Sequence, residues 1–285
     1  MKNKKKLVAL LLVLVMAITS VAGATLAYFT DTDDAANTFT VGKVKIDLIE
    51  KERVEKEATD GSDYTDNNLV DFDEDEPHNL MPIGTASNKY LDENYVDKIV
   101  TVENTGNSPA YIRTIYAIPV VEGYDEKPVQ TDNWLHWNVF SAEDVNESLE
   151  EGWFWGTKET GDYPADVNDW NSIKGDDGLP EVFTIDGAKY MIYIATNVNE
   201  IEAGEETTVA LRGLFLDKRV DCEEVENAEG KTELNYYIML NGQKVDLGDI
   251  SSLKILVFAQ AVQSEGFTDA WEAFENSGLA ENPWA

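Results

Sequence analysis

Val96-Asp97-Lys98-Ile99-Val100-Thr101-Val102, Asn104-Thr105-Gly106-Asn107-Ser108-Pro109 and Ala110-Tyr111-Ile112-Arg113-Thr114-Ile115-Tyr116-Ala117-Ile118-Pro119-Val120-Val121 together decide the fold. The outer runs are rich in Val, Ile, Tyr and Thr, which suit a pleated, half-buried surface. Between them, Asn, Gly, Ser and Pro supply turn chemistry. The stretch reads as two antiparallel strands joined in a hairpin with a longer loop. Working toward the N-terminus, Phe39 and Val41, then Val44, Ile46 and Leu48, alternate with polar residues. Their parity changes at Gly42, as a bulge or glycine kink would produce. Toward the C-terminus, residues 189–196 and 206–216 read as a second pair around Glu202-Ala203-Gly204-Glu205. Residues 234–240 and 253–263 supply two more strands. Residues 267–277 give the clearest helix. There Asp269 and Glu272 have capping-box spacing, and Ala270, Trp271 and Phe274 share one face. About seven strands with little helix imply a mainly β protein, an antiparallel β-sandwich with a short C-terminal helix.

Two insertions interrupt this pattern. Residues 50–80 hold 12 acids and 3 basic residues with few apolar anchors, and read as a solvated excursion. Residues 122–185 hold Trp134, Trp137, Trp153, Trp155 and Trp170 among Gly, Asp and Asn, without helical or strand period. The plainer reading is a loop-rich lobe with its own small aromatic core. The alternative is an aromatic platform of Trp134, Trp137, Trp153 and Trp155 for a carbohydrate or a protein.

The chain has 285 residues and a formal net charge of −33. Such a charge repels phosphates, which argues against nucleic acid and anionic lipid surfaces as partners. At 43% apolar and 10% aromatic, the chain has enough apolar surface to build a core. The single cysteine, Cys222, excludes an internal disulfide framework, and no cysteine–histidine cluster has zinc spacing.

Met1-Lys2-Asn3-Lys4-Lys5-Lys6 is a basic n-region, and residues 7–23 are apolar and uncharged. Small residues follow in Ala22-Gly23-Ala24-Thr25-Leu26-Ala27, as an export signal peptidase requires. Cleavage after Ala27, freeing Tyr28, is preferred over cleavage after Ala24. The domain reading is a signal peptide over 1–27 and one sandwich over 28–285. Any membrane association would come only through the uncleaved signal segment. Without residues 1–27, which hold four lysines and no acid, the charge becomes −37.

Gly23-Ala24-Thr25-Leu26-Ala27-Tyr28-Phe29-Thr30-Asp31 resembles the signal junction of the TasA and camelysin (CalY) family of Gram-positive exported proteins. Ala36-Asn37-Thr38-Phe39-Thr40-Val41-Gly42-Lys43-Val44 resembles that family's first strand. Residues 98–106 and 253–261 are similar to two of its later strands. The resemblance implies a jelly-roll sandwich, secretion, and processing by the ER-type signal peptidase SipW. It also implies self-assembly into extracellular biofilm-matrix fibres, with the N-terminal strand of one subunit completing a sheet of the next. Carried onto this sequence, Tyr28 to Val41 is the donated segment, with Phe29, Phe39 and Val41 as its apolar anchors.

The energetics of donation set a condition. Ordering about 10 residues costs on the order of 10–20 kcal/mol. About 10 backbone hydrogen bonds return only ~0.5–1.5 kcal/mol each. Side-chain burial, at ~1.5–3 kcal/mol per large apolar group, must therefore decide the outcome. Asp31 and Asp33 share the parity of Phe29, Phe39 and Val41, which is unfavourable unless the strand bulges. Repulsion between such acidic subunits predicts that salt, acid or calcium favours assembly. Asp71-Phe72-Asp73-Glu74-Asp75-Glu76 could associate weakly with calcium but lacks the Gly and Glu of an EF-hand loop.

No catalytic or cofactor-binding residue stands out. The camelysin branch carries a metallopeptidase label, yet the sequence has only His78 and His136 and no HExxH pair. No GxSxG is present, and Cys222 lies among acids that disfavour its thiolate. The expectation is a secreted structural protein of the cell surface or biofilm matrix, with further copies of itself as partner. A secreted binding module using the tryptophan-rich lobe is the alternative, and a secreted hydrolase is third.

Overall fold

A computed structural model describes residues 30–34, 44–54, 69–73, 82, 94–120, 134–137, 151–156, 172–174, 181–226, 230, 232–240, 242–248, 250 and 254–285. Fourteen strands and one helix are formed among the described residues. They are β1 (Thr30–Asp34), β2 (Ile46–Arg53), β3 (Leu69–Asp71), β4 (Val96–Asn104), β5 (Ala110–Pro119), β6 (Leu135–Trp137) and β7 (Trp153–Trp155). There follow β8 (Phe183–Ile185), β9 (Ala188–Asn197), β10 (Leu211–Leu216), β11 (Val220–Glu226), β12 (Thr232–Leu240), β13 (Gln243–Gly248), β14 (Leu256–Gln263) and α1 (Ala270–Ser277). The first sheet has the order β1-β14-β5-β9-β7, with β8 also on β9. The second has the order β3-β2-β4-β10-β6, and β11-β12-β13 form a third. Every strand pairing is antiparallel. The expected mainly β, antiparallel architecture with a short C-terminal helix is thus what the chain adopts.

Period-two alternation explains the layering. On β5, Ala110, Ile112, Tyr116 and Ile118 enter one core with Val100 and Val102 of β4, Met191 and Tyr193 of β9, and Ala259 and Ala261 of β14. The intervening residues Ile115 and Ala117 face outward and pack with Ile192 and Ile194 of β9. All ten residues of β5 are buried because both faces of the first sheet are covered. Asp269 caps α1 by accepting from the Glu272 N–H at 2.9 Å, while the Glu272 carboxylate accepts from the Thr268 N–H at 2.8 Å. Ala270, Ala273 and Phe274 are the helix's buried side chains; Trp271, expected on the same face, is only half-buried.

Both expected hairpins are corrected. β4 lies in the second sheet and β5 in the first, so residues 104–109 form an arch between layers. β9 and β10 are divided in the same way. The two arches brace each other. Ala110 and Ile201 exchange backbone hydrogen bonds at 3.0 and 2.9 Å, and Asn104 Nδ2 donates to the carbonyls of Ser108 and Ile201, both at 2.9 Å. Turn residues report that the chain reverses, but a reversal suits a hairpin and an arch equally.

The insertions also contribute strands. β2 runs into the acidic segment, and β3, inside it, pairs with β2 through Lys51↔Asp71 to Arg53↔Leu69. β6 pairs with β10 and β7 with β9, so the described strands of the tryptophan-rich segment extend both sheets. Phe39, Val41 and the Gly42 parity change lie outside the described residues.

Candidate functional site

β14 is eight residues long, and its sequence, Leu256-Val257-Phe258-Ala259-Gln260-Ala261-Val262-Gln263, contains no charge. β5 pairs with it along one side over its whole length. Its other side is occupied by β1, which places Thr30 opposite Val262, Asp31 opposite Ala261, Thr32 opposite Gln260, Asp33 opposite Ala259 and Asp34 opposite Phe258. Without β1, β14 would present a long uncharged edge, the kind that pairs with another chain. Several other edge strands among the described residues are short or charged. β3, β6 and β7 are three residues each. β11 exposes Asp221, Glu223, Glu224 and Glu226, and β13 exposes Lys244 and Asp246. A long uncharged strand such as β14 is therefore chemically suited to strand addition on the side that β1 covers.

The parity problem noted for Asp31 and Asp33 takes a definite form here. The register sets these positions against Ala261 and Ala259, both fully buried in the core. Of the residues expected to carry the site, Ala27, Tyr28, Phe29, Phe39 and Val41 lie outside the described residues.

The tryptophan platform is corrected. Trp134, Trp137, Trp153 and Trp155 are at most 2% exposed and belong to the main core. Trp155 stacks on Tyr116 at 4.8 Å, and Trp137 meets the edge of Tyr193 at 4.7 Å. Trp153 Nε1 donates to the Thr208 carbonyl at 3.1 Å. Aromatic residues without visible period read from sequence as loop residues; here each sits on a three-residue strand or next to one, too short to show a period.

His136 on β6 is buried, stacks on Phe215 at 5.0 Å, and brings Nε2 within 2.9 Å of Asp217 Oδ2. Arg219 closes a fork on the same carboxylate, Nε to Oδ1 at 2.8 Å and Nη2 to Oδ2 at 3.0 Å. Burial alone would raise the Asp217 carboxyl. Hydrogen bonds from His136 and Arg219 more than reverse this and hold it well below the usual carboxylate range. The cluster ties the edge strand β6 to the turn after β10. Zinc would need a third convergent ligand, and this carboxylate is already engaged by the guanidinium. Among the described residues, no group of three or more His, Cys, Asp or Glu side chains could hold a metal ion. His78 lies outside them. The residues described do not fit a zinc-peptidase centre.

A depressed carboxyl stabilises the fold above its unfolded-state value near ~4, and that contribution is lost as pH falls toward the folded-state value. Asp217→Asn is expected to cost about 1–3 kcal/mol at neutral pH. Urea unfolding should show the gap between variant and parent narrowing as pH drops below ~4. A gap that stays constant would contradict the assignment.

No helix among the described residues is long and apolar enough to cross a membrane. The chain matches no curated protein and no solved structure. Residues 2–93, which include the stretches that resemble the family's junction and first strand and the whole acidic segment, match the family described as camelysin metallo-endopeptidase.

Proposed function

We propose that this chain is an exported structural protein of the cell surface or biofilm matrix, which polymerises into extracellular fibres by passing its N-terminal strand to a neighbouring copy. The supporting observation is β1 seated on the uncharged β14 edge. A strand that closes its own sheet can close the same sheet of another copy with identical pairings. Exchange then costs mainly the freedom lost on association, and concentration decides between the closed and linked forms. Signal cleavage after Ala27 frees the segment that has to move. Repulsion between subunits makes salt or calcium favour the linked form.

Catalysis is not part of this reading. The four tryptophans are core residues, so a carbohydrate- or protein-binding platform loses the side chains it needed. Chelator-sensitive hydrolysis of casein by the purified protein would overturn the non-enzymatic reading.

Strand exchange is tested with two populations in a Cys222→Ser background, one carrying Asp31→Cys and the other Ala261→Cys. The two positions are directly opposite, so a disulfide between the populations forms only across chains. The expected result is linked species under oxidising conditions, together with filaments by negative-stain microscopy. A chain carrying both substitutions that crosslinks only internally, with no linkage in the mixture, would sink strand exchange.

A further inference from the structure

Phe258, Gln260 and Val262 are the outward-facing residues of β14 that register with Asp34, Thr32 and Thr30 of β1. Each is held by the C-terminal segment. Val262 packs with Ala270, Ala273 and Phe274 of α1. Gln260 Nε2 donates to the Ala280 carbonyl at 3.0 Å. Phe258 meets the Trp284 ring edge-on at 6.0 Å.

Arg113 of β5 fastens this arrangement from below. Its Nε donates to Gln260 Oε1 at 2.7 Å, and its Nη2 donates to the Ala280 carbonyl at 3.2 Å. The guanidinium lies 4.5 Å from the Phe274 ring centre. Arg113 is 5% exposed, and burial, partly opposed by Glu281, lowers its pKa to about 10. It remains a cation at neutral pH and holds the backbone carbonyls of a segment that has no strand pairing of its own.

We infer that residues 270–285 form the outer wall of the strand-acceptor site, so that the surface which takes the N-terminal strand, from the same chain or a second copy, is β14 together with the C-terminal segment. The link to a second copy rests on the strand-exchange reading above. A bare uncharged edge with free outward side chains would accept strands in several registers. Fixing Phe258, Gln260 and Val262 leaves one outward relief against which an incoming strand can fit.

The test uses the full chain with Trp284→Ala, with Trp284→Phe, and truncated after Gly278. Hydrogen exchange is followed at the amides of β1, with β5 and β9 as internal controls. Trp284→Ala and the truncation are expected to speed exchange in β1 at least tenfold while the β5 and β9 amides keep their protection, and Trp284→Phe should restore most of it. Unchanged β1 exchange in Trp284→Ala, with β5 and β9 intact, overturns the wall. Should the truncation disturb β5, the Trp284 pair alone decides. The same readout separates the two readings: faster β1 exchange without any crosslink between chains supports the wall and removes the second copy, whereas crosslinks that form equally fast on a truncated acceptor remove the wall and keep the second copy.

Discussion

Trp155→Ala is expected to destabilise the sandwich by about 3–5 kcal/mol, a large share of the ~5–15 kcal/mol that holds an ordinary domain together. The ring is fully buried. It stacks on Tyr116 at 4.8 Å within the first sheet and lies 6.5 Å from Trp137, which belongs to the second. Trp137 in turn meets Tyr193 of the first sheet at 4.7 Å. These rings cross the space between the layers, so removing one loses contacts to both and leaves a cavity that the braced strands cannot close. Urea unfolding monitored by circular dichroism measures the loss. A surface platform would behave differently, because exposed side chains typically change stability by no more than ~0.5 kcal/mol. An alanine variant of parental stability would return Trp155 to the surface and revive the binding-module reading.

The second large effect is expected at Arg53. Its guanidinium forks onto Asp97, Nε to Oδ2 at 2.9 Å and Nη2 to Oδ1 at 2.6 Å, with the two side chains 2% and 4% exposed. Taking both ions out of water is costly, and the fork roughly offsets that cost. Removing only the cation leaves a buried carboxylate with its charge uncompensated. Arg53→Ala should therefore cost about 3–5 kcal/mol, whereas replacing both residues by apolar ones of similar volume should cost far less. A double-mutant cycle with Asp97→Ala reads the coupling directly. Losses that simply add in the double variant would mean that the two side chains contribute independently, through packing alone.

A second basic residue holds the start of the acidic segment. Lys98 Nζ donates to Glu50 at 2.8 Å and lies 4.1 Å from the Phe72 ring centre, and the Phe72 N–H donates to the Glu50 carbonyl at 3.0 Å. The start of the acidic stretch is thus pinned to β4 by scarce basic residues. Arg53 and Lys98 stand where burial makes their pairing most effective.

The mainly β, antiparallel class, the C-terminal helix with its Asp269 cap, and the family resemblance were legible in residue order, because each depends on neighbours a few positions apart; about seven strands were expected, and β3, β6, β7, β8, β11 and β13 were not among them. Alternation along Ala110 to Ile118 shows which residues lie inside, whatever the partner strand is. The β14 strand was half legible: an uncharged run is visible in sequence, but its place between β1 and β5 is not. Tertiary structure alone decided that Asn104–Pro109 arches between layers, that Trp134, Trp137, Trp153 and Trp155 fill the core, that β1 covers β14, and that Trp284 and Ala280 back it. The physical reason is range. Propensity and periodicity act through the local backbone, whereas edges, layers and buried charge pairs depend on residues brought together from distant parts of the chain, such as Arg53 with Asp97 or Phe258 with Trp284.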